Sequence, residues 1–297
     1  MKVYRAGWSR YQTFATQFTI DPIPITLEKV TLFIAHLGSQ GLAASTIEAY
    51  LAGLRYFQIQ ANPACMAPSF HTSYINLIIK GIKRINAAKK LARVRLPITI
   101  TMIRNIQQSL AAKPHQAENR MVWAACCTGF FGFLRSGEFL TPDDAEFDPQ
   151  VHLGIEDLQY THSDTQPYQT LHIKASKTDQ FHVATVVTLG ATKLEICPVA
   201  AVLDYLSLRS DAPGPLFRNG NESPLRRRQF VLQVQGALMQ AGVSGELFNG
   251  HSFRIGAAMS ASQAGIPETT IKTLGRWQSM AYQSTFAQQL QYWQQFL

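Results

Sequence analysis

Four stretches, far apart in the chain, carry side chains suited to holding and protonating a phosphoryl group. In "TGFFGFLRSGEFL" an apolar run delivers Arg135, and Glu138 follows three residues later. A guanidinium is a planar fork that matches phosphate oxygens; a buried helix end would hold it rigid while Glu138 orients it. "IKASKTDQF" sets Lys177 at the turn between two strand-like segments, where an ammonium could give a proton to an alkoxide, with Lys174 a second candidate. "HSFRIGAA" spaces His251 and Arg254 three apart, so a helix would put a proton relay and a fixed charge on one face. "LGRW" ends on Trp277, whose indole offers a single N–H. Taken alone, each also reads as ordinary structure: a helix-end ion pair, a polar turn, a chance H-x-x-R, an aromatic core anchor.

The elements that must position these groups are mainly helices. "TLEKVTLFIAHLGSQG" predicts a helix capped by Thr26, with Leu27, Val30, Phe33, Ile34 and Leu37 on one face and a stop near Gly41. "STIEAYLAGLRYF" predicts a second, opened by a capping box of Ser45 and Glu48. In "SYINLIIKGIKRI" the stripe Ile75, Ile78, Ile79 and Ile82 predicts a buried side, opposite a basic side of Lys80, Lys83 and Arg84. "NAAKKLARVRLPIT" then reads as a linker carrying Lys89, Lys90, Arg93 and Arg95. Ile103, Ile106 and Leu110 mark another helix, and "ENRMVWAACCTGFFGFL" is apolar nearly all round, as a core helix would be. From about residue 151 the period shortens: "LQYTH", "LHIKAS" and "HVATVVTL" predict a small antiparallel sheet. Helices return at "PVAAVLDYLSLR", with Pro198 in its first turn, and continue to "PETTIKTLGRW", with a last one expected from near Ser279. The fold class is mainly α with a small antiparallel β-sheet.

Composition narrows the partners. The chain has 297 residues, room for two domains, and a formal charge of +8. Residues 1–95 hold 12 Lys/Arg against 3 Asp/Glu, an excess of +9, while residues 96–297 hold 15 against 16, a balance of −1. A cationic first third calls for a polyanionic partner, of which nucleic acid is the commonest; a soluble basic surface is the plain alternative. The longest apolar run, Trp123 to Leu134, is shorter than the roughly 20 residues a membrane span needs, and "MKVYRAGWSR" has no secretory h-region. Cys65, Cys126, Cys127 and Cys197 form no CxxC pair, and the eight histidines make no ligand spacing with them. An intracellular, reduced setting and the absence of a metal site are the expectations.

In order, Arg-x-Gly-Glu after a core helix, a hairpin Lys, His-x-x-Arg-x-Gly and Leu-Gly-x-Trp resemble the tyrosine recombinase (phage integrase-like) family, over roughly residues 20–290. "LGRW" and "SKTDQF" look most like the recombinases of eukaryotic DIRS- and Crypton-type mobile elements. The resemblance implies a helical core-binding (SAM-like) domain over residues 1–88, a basic linker over 89–98 and a catalytic domain over 99–297. It implies double-stranded DNA as partner, self-association on DNA as dimers and tetramers, no membrane, no cofactor and no metal. A nuclear location follows if the source is eukaryotic. Lys80, Lys83, Arg84, Lys89, Lys90, Arg93 and Arg95 are the expected DNA-binding residues.

By the same resemblance, a tyrosine hydroxyl attacks a DNA phosphate, forms a 3′-phosphotyrosyl link and releases a 5′-hydroxyl. Arg135 and Arg254 would clamp the non-bridging oxygens, His251 would bond the phosphate or take the nucleophile's proton, and Lys177 would protonate the leaving oxygen. Trp277 stands where many members carry a second histidine, and Glu138 matches the supporting acid. The nucleophile departs from the pattern: nine residues after Trp277 stands Phe286, and eight after it Thr285. An engineered Tyr-to-Phe change, a natural loss leaving a DNA-binding protein, or a substitute hydroxyl from Tyr282, Tyr292 or Thr285 all fit. A type IB topoisomerase-like enzyme, which shares the site chemistry, is a more distant reading.

Overall fold

A computed structural model of the chain describes residues 2–61, 73–89, 96–112, 116–176 and 184–277. The chain divides into two compact units, Met1–Arg93 and Val94–Leu297.

The first unit is helical: α1 (Lys2–Gln17), α2 (Leu27–Ser39), α3 (Ala44–Ala61) and α4 (Ser73–Lys89). Helix α2 is capped as predicted, with the Thr26 side chain accepting from Lys29 N–H and Gly41 beyond its end at φ +78°. The capping box expected at Ser45 and Glu48 is absent. Helix α3 already begins at Ala44, where the Ala43 carbonyl accepts from both Thr46 and Ile47, so Ser45 lies inside the first turn. Glu48 is turned instead to Lys83, 2.7 Å away. Ile75, Ile79 and Ile82 of α4 are buried, and Lys80, Lys83 and Arg84 are exposed, so the predicted two-sided helix is present. Helix α1 has no counterpart in the predicted elements. It packs on α3 with Gly7 and Gly53 at the crossing, where a β-carbon on either would sit 2.8 Å from the other helix's backbone.

The second unit surrounds a single core. Its helices are α5 (Ile100–Ala111), α6 (Gln116–Phe131), the one-turn α7 (Ser136–Phe139), α8 (Pro198–Leu206), α9 (Arg227–Gln240), α10 (Gly250–Gln263) and α11 (Glu268–Leu274). Helix α6 is the predicted core helix; Val122, Ala124, Ala125, Cys126 and Cys127 are fully buried. Burial pushes both thiols well above the ordinary cysteine range, which makes them inert packing rather than nucleophiles. Pro198 opens α8 as predicted. The sheet is antiparallel in the order β1 (Leu158–Thr161), β2 (Tyr168–Ile173), β3 (Thr185–Gly190), with Leu171 opposite Val187 and Ile173 opposite Thr185. Leu171, Ile173, Val187 and Leu189 face the core on alternate positions. Strand β2 starts three residues before the predicted one, at Tyr168, because its pairing with β1 reaches that far.

Residues 96–98, at the end of the segment expected to be linker, are built into this unit. Leu96 N–H donates to Leu247 O at 3.1 Å, Ile98 N–H to Ser252 O at 3.0 Å, and the Ile98 side chain is completely buried. No helix among the described residues is long and apolar enough to cross a membrane.

Candidate functional site

Two helix ends build the site, and both stop in the same way. After α6, Phe133 N–H donates to Phe130 O and Leu134 N–H to Gly129 O, at 3.1 and 3.0 Å. After α11, Arg276 N–H donates to Thr273 O and Trp277 N–H to Lys272 O, at 2.9 and 3.1 Å. This paired closure puts one residue in the left-handed region, where glycine is the usual choice. Here the positions hold Phe133 (φ +50°) and Arg276 (φ +51°). A side chain there costs about 1–2 kcal/mol, and such strain concentrates where a particular group must be aimed.

Arg254, on α10, ties the two ends together. Its Nη1 donates to the Phe133 carbonyl and its Nη2 to the Gly275 carbonyl. Helix carboxyl ends carry partial negative charge, so a guanidinium is well placed there. Trp277 covers Arg254 with its ring face, 4.4 Å from Cζ to the ring centroid, and meets the Phe133 ring edge-on. That fold-back requires glycine at 275, because a β-carbon there would collide with the indole. Arg254 is 4% exposed. Burial, then the neighbouring Arg135 cation, and Arg276 beyond the opposing charge of Glu138, pull its pKa down to about 9.

Glu138 is the acid at the centre. It is buried, in α7, the single turn that follows Arg135. Oε1 accepts from Arg135 Nη1 at 2.8 Å, and Oε2 accepts from the Arg135 backbone N–H at 2.9 Å. Oε2 also accepts from Arg276 Nη2 at 2.8 Å. Two guanidinium groups thus bond one carboxylate, with the Arg254 cation beside them, an excess of two positive charges (3 − 1). A cluster of that charge, with the Arg135 and Arg276 side chains 18% and 20% exposed, can receive an oxyanion.

His251 stands at the start of α10, one turn before Arg254. Asn249 caps that helix, accepting from His251 N–H at 2.9 Å, while Ser252 Oγ accepts from Asn249 N–H at 3.0 Å. Gly250 brings this helix start against Ser136, the residue after Arg135: a β-carbon at 250 would lie 2.5 Å from the Ser136 side chain. His251 is exposed.

Lys174 is spoken for. Its ammonium bonds Pro149 O at 2.6 Å, Asp157 Oδ2 at 2.7 Å and Glu156 Oε1 at 3.0 Å, which uses all three of its donors. Although burial works against the charge, the bonds to Asp157 and Glu156 raise its pKa. It is a structural tie, not a proton donor. Lys177 falls in the connection between β2 and β3; it, Tyr282, Thr285, Phe286 and Tyr292 lie outside the described residues, as do Lys90, Arg93, Arg95 and the Lys89 side chain. Among the described residues no group of three His, Cys, Asp or Glu could hold a metal ion.

No family model matches the chain. An integrase/recombinase xerD homolog from Selenomonas ruminantium is 24% identical over 284 residues, covering 91% of this chain and 76% of that protein. The fold resembles the XerH site-specific recombinase bound to its palindromic difH substrate, with TM-score 0.63, 17% identity, and 97% and 75% of the two chains covered. It also resembles a lambda integrase dimer bound to a COC′ core site, at 0.58, 16%, 96% and 88%. The Tn1549 transposon integrase with circular intermediate DNA gives 0.56, 12%, 95% and 88%. The chain has the fold of these recombinases and integrases, and its sequence is similar to the xerD homolog along most of its length.

In this recombinase fold two arginines near the site were not singled out from sequence. Arg276 is the partner of Glu138; its signal was only its place beside Trp277. Arg227, exposed at the start of α9, passes so close to Gly137 that a β-carbon there would lie 2.9 Å from its Nη2. It stands in the run Arg226–Arg228, and nothing local in sequence connects that run to Arg135.

Proposed function

We propose that the chain is a site-specific DNA recombinase by descent and site design, which holds a phosphate of double-stranded DNA and whose strand-cleaving step is missing or severely impaired. The observation that carries this is the cluster of Arg135, Arg254 and Arg276 around the buried Glu138. The xerD homolog and the three DNA-bound recombinase structures support it.

Arg135 and Arg254 take the non-bridging oxygens and offset charge as phosphorus becomes five-coordinate. Loss of one such donor typically costs on the order of 3 kcal/mol of barrier, about a hundredfold in rate. His251 bonds the phosphate or receives the nucleophile's proton, and Lys177 gives a proton to the departing 5′-oxygen. Trp277 lays its ring face over Arg254. The reaction needs a phenol oxygen that makes the phosphotyrosyl bond, and Phe286 has none. That residue also favours a second reading, a domesticated protein that binds and bridges DNA without cutting it. Origin in a DIRS- or Crypton-like element, assembly as dimers and tetramers on DNA, and a nuclear location belong to this proposal.

Duplex binding measured from about 50 to 200 mM salt tests the common part. Affinity should fall steeply, by about tenfold or more, as counterion release requires. The Arg135→Gln, Arg254→Gln double variant should bind more weakly and with a shallower salt slope. Affinity indifferent to salt, and equal in the variant, would contradict both readings.

A further inference from the structure

We infer that Arg276 is a third phosphate-binding guanidinium of this site, held beside Arg135 by Glu138. The inference rests on the reading that the cluster receives a DNA phosphate. It concerns which side chain supplies the third donor.

Position 276 closes α11 in the left-handed conformation, where glycine is cheapest. An arginine there carries a backbone cost and aims its side chain across 138 positions of sequence at Glu138. Its exposure matches that of Arg135, 20% against 18%, whereas Arg254 is almost sealed at 4%. Arg135 and Arg276 are therefore the more open pair of cations, one on each oxygen of the same carboxylate. Arg276 also donates to Gly132 O at 3.3 Å and, weakly, to Phe133 O at 3.5 Å. Among the described residues these and Glu138 take three of the five guanidinium N–H groups, which leaves two (5 − 3). Trp277 is the platform rather than the cation: its ring face is laid over Arg254. Glu138 keeps Arg135 and Arg276 at fixed spacing despite their repulsion, so two forks are preset for one phosphate.

The competing account is that Arg276 only pins the end of α11 to Glu138. Neutralising single phosphates separates the two. The full chain selects a duplex from a randomised pool, and each phosphate of that duplex is replaced in turn by an uncharged methylphosphonate. For the wild type, one position or two adjacent positions should cost about tenfold in affinity, the scale of a hydrogen bond to a charged group. Arg135→Gln and Arg276→Gly should each lose that penalty at the same position. Glycine suits the left-handed backbone, so the Arg276→Gly chain should stay folded. Arg276→Lys should recover part of the penalty. An Arg276→Gly chain that keeps the full penalty where Arg135→Gln loses it overturns the inference and leaves the proposed function standing. A penalty unchanged in both variants at every position overturns the inference and the phosphate reading together.

Discussion

Glu138 decides how the arginines behave, because it is the carboxylate they share. Glu138→Gln keeps the shape but leaves Arg135 and Arg276 facing the buried Arg254 without a counter-charge. Breaking such a buried pair should cost about 3–5 kcal/mol, read from denaturant unfolding. A loss below about 1 kcal/mol would mean the cluster is not electrostatically strained. Arg254 reports the same strain through pH. Its folded pKa of about 9 lies below the ordinary arginine value, so its charged form costs stability at every pH below that point. The cost is relieved as pH rises above about 9, where the unfolded chain still holds the proton. Under the proposed function, a bound oxyanion would supply the relief at neutral pH instead. Phosphate at pH 7 should therefore raise the wild-type Tm by about 2–4 °C, the shift expected for roughly 1 kcal/mol. Arg254→Met should abolish that rise; an equal rise in the variant would place the anion elsewhere. Residue type, the order of the stretches and the family resemblance together single out Arg135, Glu138, His251, Arg254 and Trp277; any one stretch alone reads as ordinary structure. Arg276 is not singled out, because the left-handed turn that swings it toward Glu138 is made by the α11 terminus and not by any local pattern.

Helix ends carry the site, and their packing is as specific as the side chains. Gly250 lets α10 reach Ser136. Gly250→Val would push His251 and Arg254 away from Arg135, at a cost of about 1–3 kcal/mol by overpacking. DNA affinity should fall beyond what the stability loss explains, and unchanged affinity would show that α10 need not touch α7. Elements with a clear apolar pattern were legible: α2, α4 and the strands by their period, α6 by its unbroken apolar run. Thr26 read correctly as a cap because its oxygen is free for Lys29 N–H. Ser45 read wrongly because Ala44 is buried in the core and the helix starts before it. Helix α1 escaped notice because its core contacts, Tyr11, Phe14 and Ala15, sit among polar residues and rely on the Gly7–Gly53 crossing.

Charge sets the behaviour of the whole molecule. The +9 excess of the first third and the arginine cluster of the second unit both call for a polyanion. Lys80 and Arg84 are exposed on α4, and replacing both by Gln should lower the salt slope of duplex binding by about two, one per phosphate released. Lys83→Ala should cost under about 1 kcal/mol of stability, since its pair with Glu48 is half-exposed. The basic first third was visible in the charge count, and its helices α2 and α4 in their apolar periods. The way residues 96–98 enter the second unit was not, because it depends on pairing with Leu247 and Ser252, about 150 residues later. The central claim, a recombinase site lacking one oxygen, is tested most directly by restoring it. Phe286→Tyr, with Thr285→Tyr as the other register, should form a covalent protein–DNA adduct on a nicked suicide duplex that the chain binds, and Arg254→Gln should remove the adduct. Tight duplex binding with no adduct from either restored tyrosine would contradict the account and leave a protein that only binds DNA.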